Sequence, residues 1–176
     1  PAIAADLVAA GVQSVSVSID GLQPCHDLLR GRPNSWTRAI AALRHLRTAG
    51  SQGACNTQIN ARTLHDLEPL LELVAAEGIH TWQLQLTLAH GVAADHPEIL
   101  LQPFQVPEMF TILERLLERC AALGVKLYPG NSLGYFGPLE SRLRRSSTSR
   151  GHYFGCQAGV AALGIESDGK LKGCPS

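Results

Sequence analysis

Ser14-Val15-Ser16-Val17-Ser18-Ile19-Asp20-Gly21 alternates small hydroxyl side chains with branched apolar ones, then ends on a carboxylate and a glycine. Successive side chains of a strand point to opposite faces, so Val12 to Ile19 reads as a β-strand with one apolar and one polar side. Two later stretches repeat the pattern. In Ala54 to Asn60, the residues Asn56, Gln58 and Asn60 share one phase. In Trp82 to Leu88, Gln83, Gln85 and Thr87 share one phase against Trp82, Leu84 and Leu86. Val125 to Tyr128 reads as a fourth, short strand.

Helix signals lie between these strands. Residues 2–10 read as a helix stopped by Gly11. Ser35 is placed to cap a helix from Trp36 to about Thr48, with Trp36, Ile40, Leu43 and Arg47 on one face. Leu67, Leu70, Leu71 and Val74 recur at helical spacing, with Thr63 or Asp66 as the cap and Gly78 as the stop. Pro69 favours Asp66, because it then falls in the first turn, where no amide donor is needed. Pro107 opens a helix carrying Phe110, Leu113, Leu117 and Cys120 and ending at Gly124. Helices alternating with strands imply parallel βαβ units with right-handed crossovers. Residues 129–155, rich in Gly, Ser and Arg, read as a linker. Asp168-Gly169, between Leu163-Gly-Ile165 and Lys170-Leu-Lys172, reads as the turn of a hairpin.

Parallel strands covered on both faces are almost continuously apolar. These are not, so the helices must cover the apolar side only. The polar side then faces the inside of a curved sheet or barrel. Burying those amides and hydroxyls without partners costs roughly 1–3 kcal/mol each. Either a polar ligand lines up with them, or the face is simply wet.

The chain has 176 residues, 45% of them apolar, with fifteen basic and fifteen acidic side chains. That excludes the disordered class and leaves no electrostatic footprint for nucleic acid or an anionic membrane. No apolar run is long enough to cross a bilayer, and the opening residues do not read as a signal peptide. Pro1-Ala-Ile-Ala-Ala-Asp-Leu-Val reads as mid-helix, so the amino terminus is expected to be a cut. Five widely spaced cysteines, Cys25, Cys55, Cys120, Cys156 and Cys174, do not form a secreted disulfide framework, and a reduced cytoplasmic setting is expected.

Ser16-Val-Ser-Ile-Asp-Gly21, His26-Asp-Leu-Leu-Arg-Gly31 and Ser35-Trp36 resemble the fourth strand and following loop of radical S-adenosylmethionine enzymes, especially the peptide-modifying maturases. Gly159, Ile165, Asp168-Gly169 and Cys174-Pro175 resemble the opening of their SPASM domain. Cys156, twelve residues, Gly169, four residues and Cys174 follow its spacing. The resemblance implies an α/β fold: the C-terminal half of a partial (βα)6 TIM-like barrel over 1–128, a linker over 129–155, and the first hairpin of a SPASM/twitch auxiliary cluster domain over 156–176.

It also implies roles. Ser18, Asn56, Gln58 and Gln85 would bound the cofactor or the substrate. Asp20, at the carboxyl edge of a strand, would accept from ribose hydroxyls; its other reading is a cap on the loop at Gly21. Arg30 would hold the methionine carboxylate with its rigid fork; its other reading is an ion pair with Asp27 or Asp20. His26 reads as a structural bond within the loop rather than a proton donor. Cys156 and Cys174 would ligate a [4Fe-4S] cluster, with its remaining ligands downstream. Cys25, Cys55 and Cys120 read as bystanders, Cys25 lying in a loop near the presumed site.

The family's Cys-x3-Cys-x2-Cys loop and glycine-rich strand are not in this sequence. The polypeptide alone is therefore expected to be inactive. Its parent would cleave S-adenosylmethionine to a 5′-deoxyadenosyl radical and abstract hydrogen from a peptide or protein. An electron donor such as flavodoxin or ferredoxin is implied, and an open barrel edge invites dimerisation. Two alternatives stand beside this. An ordinary barrel lyase or isomerase would want a catalytic Lys or a carboxylate pair at strand ends, yet lysine occurs only at Lys126, Lys170 and Lys172. A non-catalytic binding module is the other. Arg142, Arg144, Arg145 and Arg150, interleaved with serines, read as a solvated linker rather than a nucleic-acid patch.

Overall fold

A computed structural model of the chain describes residues 1–133, 137–144 and 155–173. Four parallel strands run in sequence order across one sheet: β1 (Ser14–Ser18), β2 (Gln52–Ile59), β3 (Thr81–Leu86) and β4 (Lys126–Pro129). Helix α1 (Ala2–Ala9) precedes β1. Between β1 and β2 lie α2 (Gln23–Leu29) and α3 (Ser35–Thr48); α4 (Leu67–Ala76) and α5 (Val106–Leu123) fill the next two crossovers. This arrangement is compatible with part of an α/β barrel. No helix among the described residues is long and apolar enough to cross a membrane.

The helices cover the apolar phase of every strand. Ile19, Cys55, Ile59, Trp82 and Leu84 are fully buried, against Leu43 of α3, Leu70, Leu71 and Val74 of α4, and Leu113 and Leu116 of α5. Glu68 and Glu72 of α4 pair in two-pronged fashion with Arg115 and Arg119 of α5. These pairs are about half exposed, so they fix helix alignment more than they stabilise.

One hydroxyl sits on the apolar phase. Thr57 is fully buried; its Oγ1 donates to Ile19 O at 2.6 Å and accepts the Trp82 indole N–H at 2.8 Å. It thus satisfies the single polar atom of the largest core side chain. Thr57→Val keeps the shape but leaves that N–H unpaired. The expected loss is roughly 1–3 kcal/mol, read as a lower urea midpoint at unchanged slope.

Several local expectations change. Residues 23–29, expected as loop, form α2, with Pro24 in its first turn. Ser35 does not cap α3; both oxygens of the Asp27 carboxylate do, accepting from Asn34 N at 2.9 Å and Trp36 N at 2.8 Å. Asp66 makes no cap bond to α4 and accepts Leu22 N at 2.8 Å. The turn into α4 is closed by Asn60, whose Oδ1 accepts Arg62 N and Thr63 N at 2.9 and 3.1 Å.

The stretch expected as a linker is partly packed. Leu133, Leu139 and Leu143 join the core, and a short helix, α6 (Glu140–Arg144), forms within it. Arg144, read from sequence as solvated, is 4% exposed; it donates to the carbonyls of Pro129, Gly130 and Leu133 and pairs with Glu140. Its three backbone acceptors offset the loss of water around the guanidinium. Arg142 reaches Glu114 of α5. Arg145 and Arg150 lie outside the described residues. Further on, β5 (Gly164–Ile165) and β6 (Leu171–Lys172) pair antiparallel around Asp168-Gly169, with Gly169 at φ +84° as its turn requires.

Candidate functional site

The sequence from Asp20 to Trp36 folds into a clasp at the carboxyl end of β1. Asp20 is 4% exposed. Its Oδ1 accepts Gln58 N at 2.8 Å, and its Oδ2 takes Arg30 Nη2 at 2.5 Å. Its own backbone N–H donates to His26 Nδ1 at 2.9 Å. The other ring nitrogen, Nε2, lies 3.2 Å from Ser35 Oγ. Each polar member of His26-Asp-Leu-Leu-Arg30 therefore has a partner: His26 holds Asp20, Asp27 caps α3, and Arg30 neutralises Asp20. Arg30 forms its ion pair with Asp20, not with Asp27.

Because Nδ1 accepts a backbone N–H, the ring is neutral with its proton on Nε2. Burial pushes the His26 imidazole below its usual value, outweighing the Asp20 carboxylate, which pulls the other way. A lowered histidine pKa means the unfolded chain binds the proton more readily. The contribution is complete above about pH 6.5 and is lost as pH falls through the folded-state value. Melting temperature is expected to drop between pH 7 and 5, and less so in His26→Asn, whose amide oxygen replaces Nδ1 without titrating.

The polar phase of the sheet lies on the side opposite the helices. In the β2–β3 register Asn56 faces Gln83 and Gln58 faces Gln85. Their side chains bond in the same pairs: Asn56 Nδ2 to Gln83 Oε1 at 3.4 Å and Gln58 Nε2 to Gln85 Oε1 at 3.1 Å. All four are half-buried. One rung further, Asn60 Nδ2 reaches Thr87 Oγ1 at 3.4 Å. Ser14, Ser16 and Ser18 of β1 are exposed on this phase. The structure thus brings Asn56, Gln58 and Gln85 into one amide ladder, ties Gln58 to Asp20 and Arg30 through the backbone, and puts Ser18 one strand over, opposite Asn56. Each amide has more donors and acceptors than its rung uses, so the ladder can still bind a polar ligand.

Cys156 is exposed, and its sulfur accepts from Asn131 Nδ2 at 3.3 Å and Ala158 N at 3.4 Å. Cys174 lies outside the described residues. Among the described residues no three His, Cys, Asp or Glu side chains are gathered to hold a metal, so they do not supply the ligand set of a cluster. Burial pushes the Cys55 and Cys120 thiols up to about 12. Burial and the nearby Asp66 carboxylate raise Cys25 to about 11. These three thiols stay protonated and unreactive near neutral pH. Sequence reasoning placed Gln83 on the polar phase without naming it a site residue, and read Asp66 as a helix cap where its carboxylate closes the loop behind Gly21.

Fold and site together define an α/β protein with a one-sided parallel sheet, its polar face running into a buried clasp at the carboxyl edge. No family model matches the chain. Two curated relatives carry the name AdoMet-dependent heme synthase, which places them among radical S-adenosylmethionine enzymes. The one from Nitratidesulfovibrio vulgaris is 33% identical over 95 residues, 53% of this chain and 26% of its own length. The one from Methanosarcina barkeri is 33% identical over 100 residues, 56% of this chain and 29% of its own. The chain thus spans between a quarter and a third of the length of the curated relatives it matches.

Proposed function

We propose that this chain forms the later strands of a radical S-adenosylmethionine enzyme barrel and that its amide ladder faces the cofactor or the substrate. The observation carrying this reading is the ladder itself: half-buried amides on an open sheet face, joined at the carboxyl edge to Asp20 and Arg30. Neutral amides, serine hydroxyls and one guanidinium fit S-adenosylmethionine, which presents a ribose, an adenine edge and a zwitterionic amino-acid tail. Asn56, Gln58, Gln85 and Ser18 would bond its polar edges. Arg30, whose side chain is 39% exposed, has N–H groups beyond the one on Asp20 for a carboxylate. The Asp20 side chain is 6% exposed and already engaged at both oxygens. Its part in this reading is to set Arg30 and Gln58 rather than to touch a ribose.

Arg30 and the amides of Asn56, Gln58 and Gln85 would hold S-adenosylmethionine, which beside a reduced iron–sulfur cluster would supply radical chemistry for hydrogen abstraction. The residues of this chain position the ligand and line the face from which water is displaced. The hairpin from β5 to β6 and Cys156 open an auxiliary cluster domain in this reading. Its support is the spacing to Cys174 and the two N–H donors directed at the Cys156 sulfur, the kind of bonds that surround a cluster ligand. Between the substrate classes, the relatives' name favours a heme precursor over a peptide side chain. Flavodoxin or ferredoxin as reductant and pairing at the β1 edge belong to the same proposal.

The test is anaerobic reconstitution of the full-length protein with iron and sulfide, followed by dithionite and S-adenosylmethionine. Formation of 5′-deoxyadenosine supports the reading, and its acceleration by an iron porphyrin or by a peptide identifies the substrate class. A protein that takes up no iron and forms no 5′-deoxyadenosine overturns it.

A further inference from the structure

Gly130 follows β4 at a place where its backbone is held from both sides. Its N–H donates to Leu84 O at 2.6 Å, and its carbonyl accepts Arg144 Nη2 at 3.1 Å and Leu133 N at 3.2 Å. Nothing in its φ demands glycine, since it is not among the positive-φ residues. What demands glycine is a neighbour. A β-carbon at 130 would lie 2.5 Å from Gln85 Cγ, 3.2 Å from Gln85 Cβ and 3.1 Å from the Leu84 carbonyl oxygen. These are the root of a side chain and a backbone atom, not a flexible tip, so they cannot swing clear cheaply. Gln85 must change rotamer, and Gln85 is the residue that holds Gln58 across the ladder.

We propose that Gly130 is a positioning residue for the polar face: its missing side chain lets Gln85 lie against β4 and present its amide to Gln58. A continuous line then runs across the sheet, from Gly130 to Gln85, to the Gln58 side chain, and through the Gln58 backbone N–H to Asp20 and Arg30. The geometry makes position 130 a control on which amide faces the ligand, without contacting the ligand itself. The inference deepens the proposed function and rests on it only for the identity of that ligand.

The test is a cycle of Gly130→Ala, Gln85→Ala and the double variant in the full chain. It reads side-chain amide signals by 15N NMR, the thermal midpoint, and the dissociation constant for S-adenosylmethionine. Gly130→Ala is expected to shift the Gln85 and Gln58 side-chain amide signals while leaving Gln13 and Gln102 in place. It should weaken S-adenosylmethionine binding about tenfold, by 1.4 kcal/mol. In the Gln85→Ala background the same substitution should cost clearly less in midpoint and change affinity by no more than about twofold, because the 2.5 Å contact with Cγ is gone while the milder contacts with Cβ and the Leu84 carbonyl remain. Equal losses in both backgrounds, or unmoved Gln85 and Gln58 signals, overturn the proposal. If the unmodified chain binds no S-adenosylmethionine, the ligand assignment fails alone, and the amide signals and midpoints still decide Gly130.

Discussion

Gly21→Ala is expected to be among the most damaging single-methyl changes at the described glycines. Gly21 sits at φ +85°, and a β-carbon there would lie 2.6 Å from Asp66 Oδ2, the oxygen that accepts Leu22 N. Two penalties fall together: a left-handed backbone with a side chain, and overpacking against a hydrogen-bonded carboxylate, each roughly 1–3 kcal/mol. Together they are a large fraction of a domain's usual stability. Gly11 supplies the control, since it has φ +84° with nothing within 4 Å of the same added atom. Urea unfolding should therefore show a clearly larger loss for Gly21→Ala than for Gly11→Ala. Equal losses would mean that the Asp66 contact carries no energy.

Asp20→Ala is the second. Removing the carboxylate leaves the Gln58 N–H without its acceptor and Arg30 without its partner. The unpaired N–H costs roughly 1–3 kcal/mol. Arg30 is more than a third exposed and can turn to water, so it adds less than about 1 kcal/mol. Asp20→Asn keeps an oxygen for Gln58 but turns an amide N–H toward Arg30, which can swing to water, so it should fall between wild type and alanine. Hydrogen exchange at the Gln58 amide reads the bond directly, and its protection should collapse in the alanine variant. A change within about 0.5 kcal/mol, with Gln58 still protected, would place the clasp's strength elsewhere.

The strands were legible because a two-residue period leaves a mark that survives any tertiary context: Ser14 to Ser18, Asn56 and Gln58, Gln83 and Gln85 all keep their phase. Features made by distant partners were not. Seven residues with a proline and no apolar period do not announce α2. Its neighbours hold it, through His26 on Asp20 and Asp27 on α3. Ser35 and Asp66 stood at good cap positions in sequence, yet competing partners claimed both side chains. Thr57 looks like any strand threonine until the register puts Trp82 beside it. Arg144 reads as surface by composition, and only the carbonyls of Pro129, Gly130 and Leu133 make its burial possible. The clasp motif was visible as a string of residues; that it closes on itself through Asp20 needed coordinates.

The most direct test of the central claim is a crystal structure of the reconstituted full-length protein with S-adenosylmethionine bound. The account predicts the ligand against the amide ladder, with polar atoms within hydrogen-bonding distance of Asn56, Gln58 or Gln85 and its carboxylate toward Arg30. A ligand bound on the helix-covered side, or a sheet face left to water while the cofactor sits elsewhere, contradicts it.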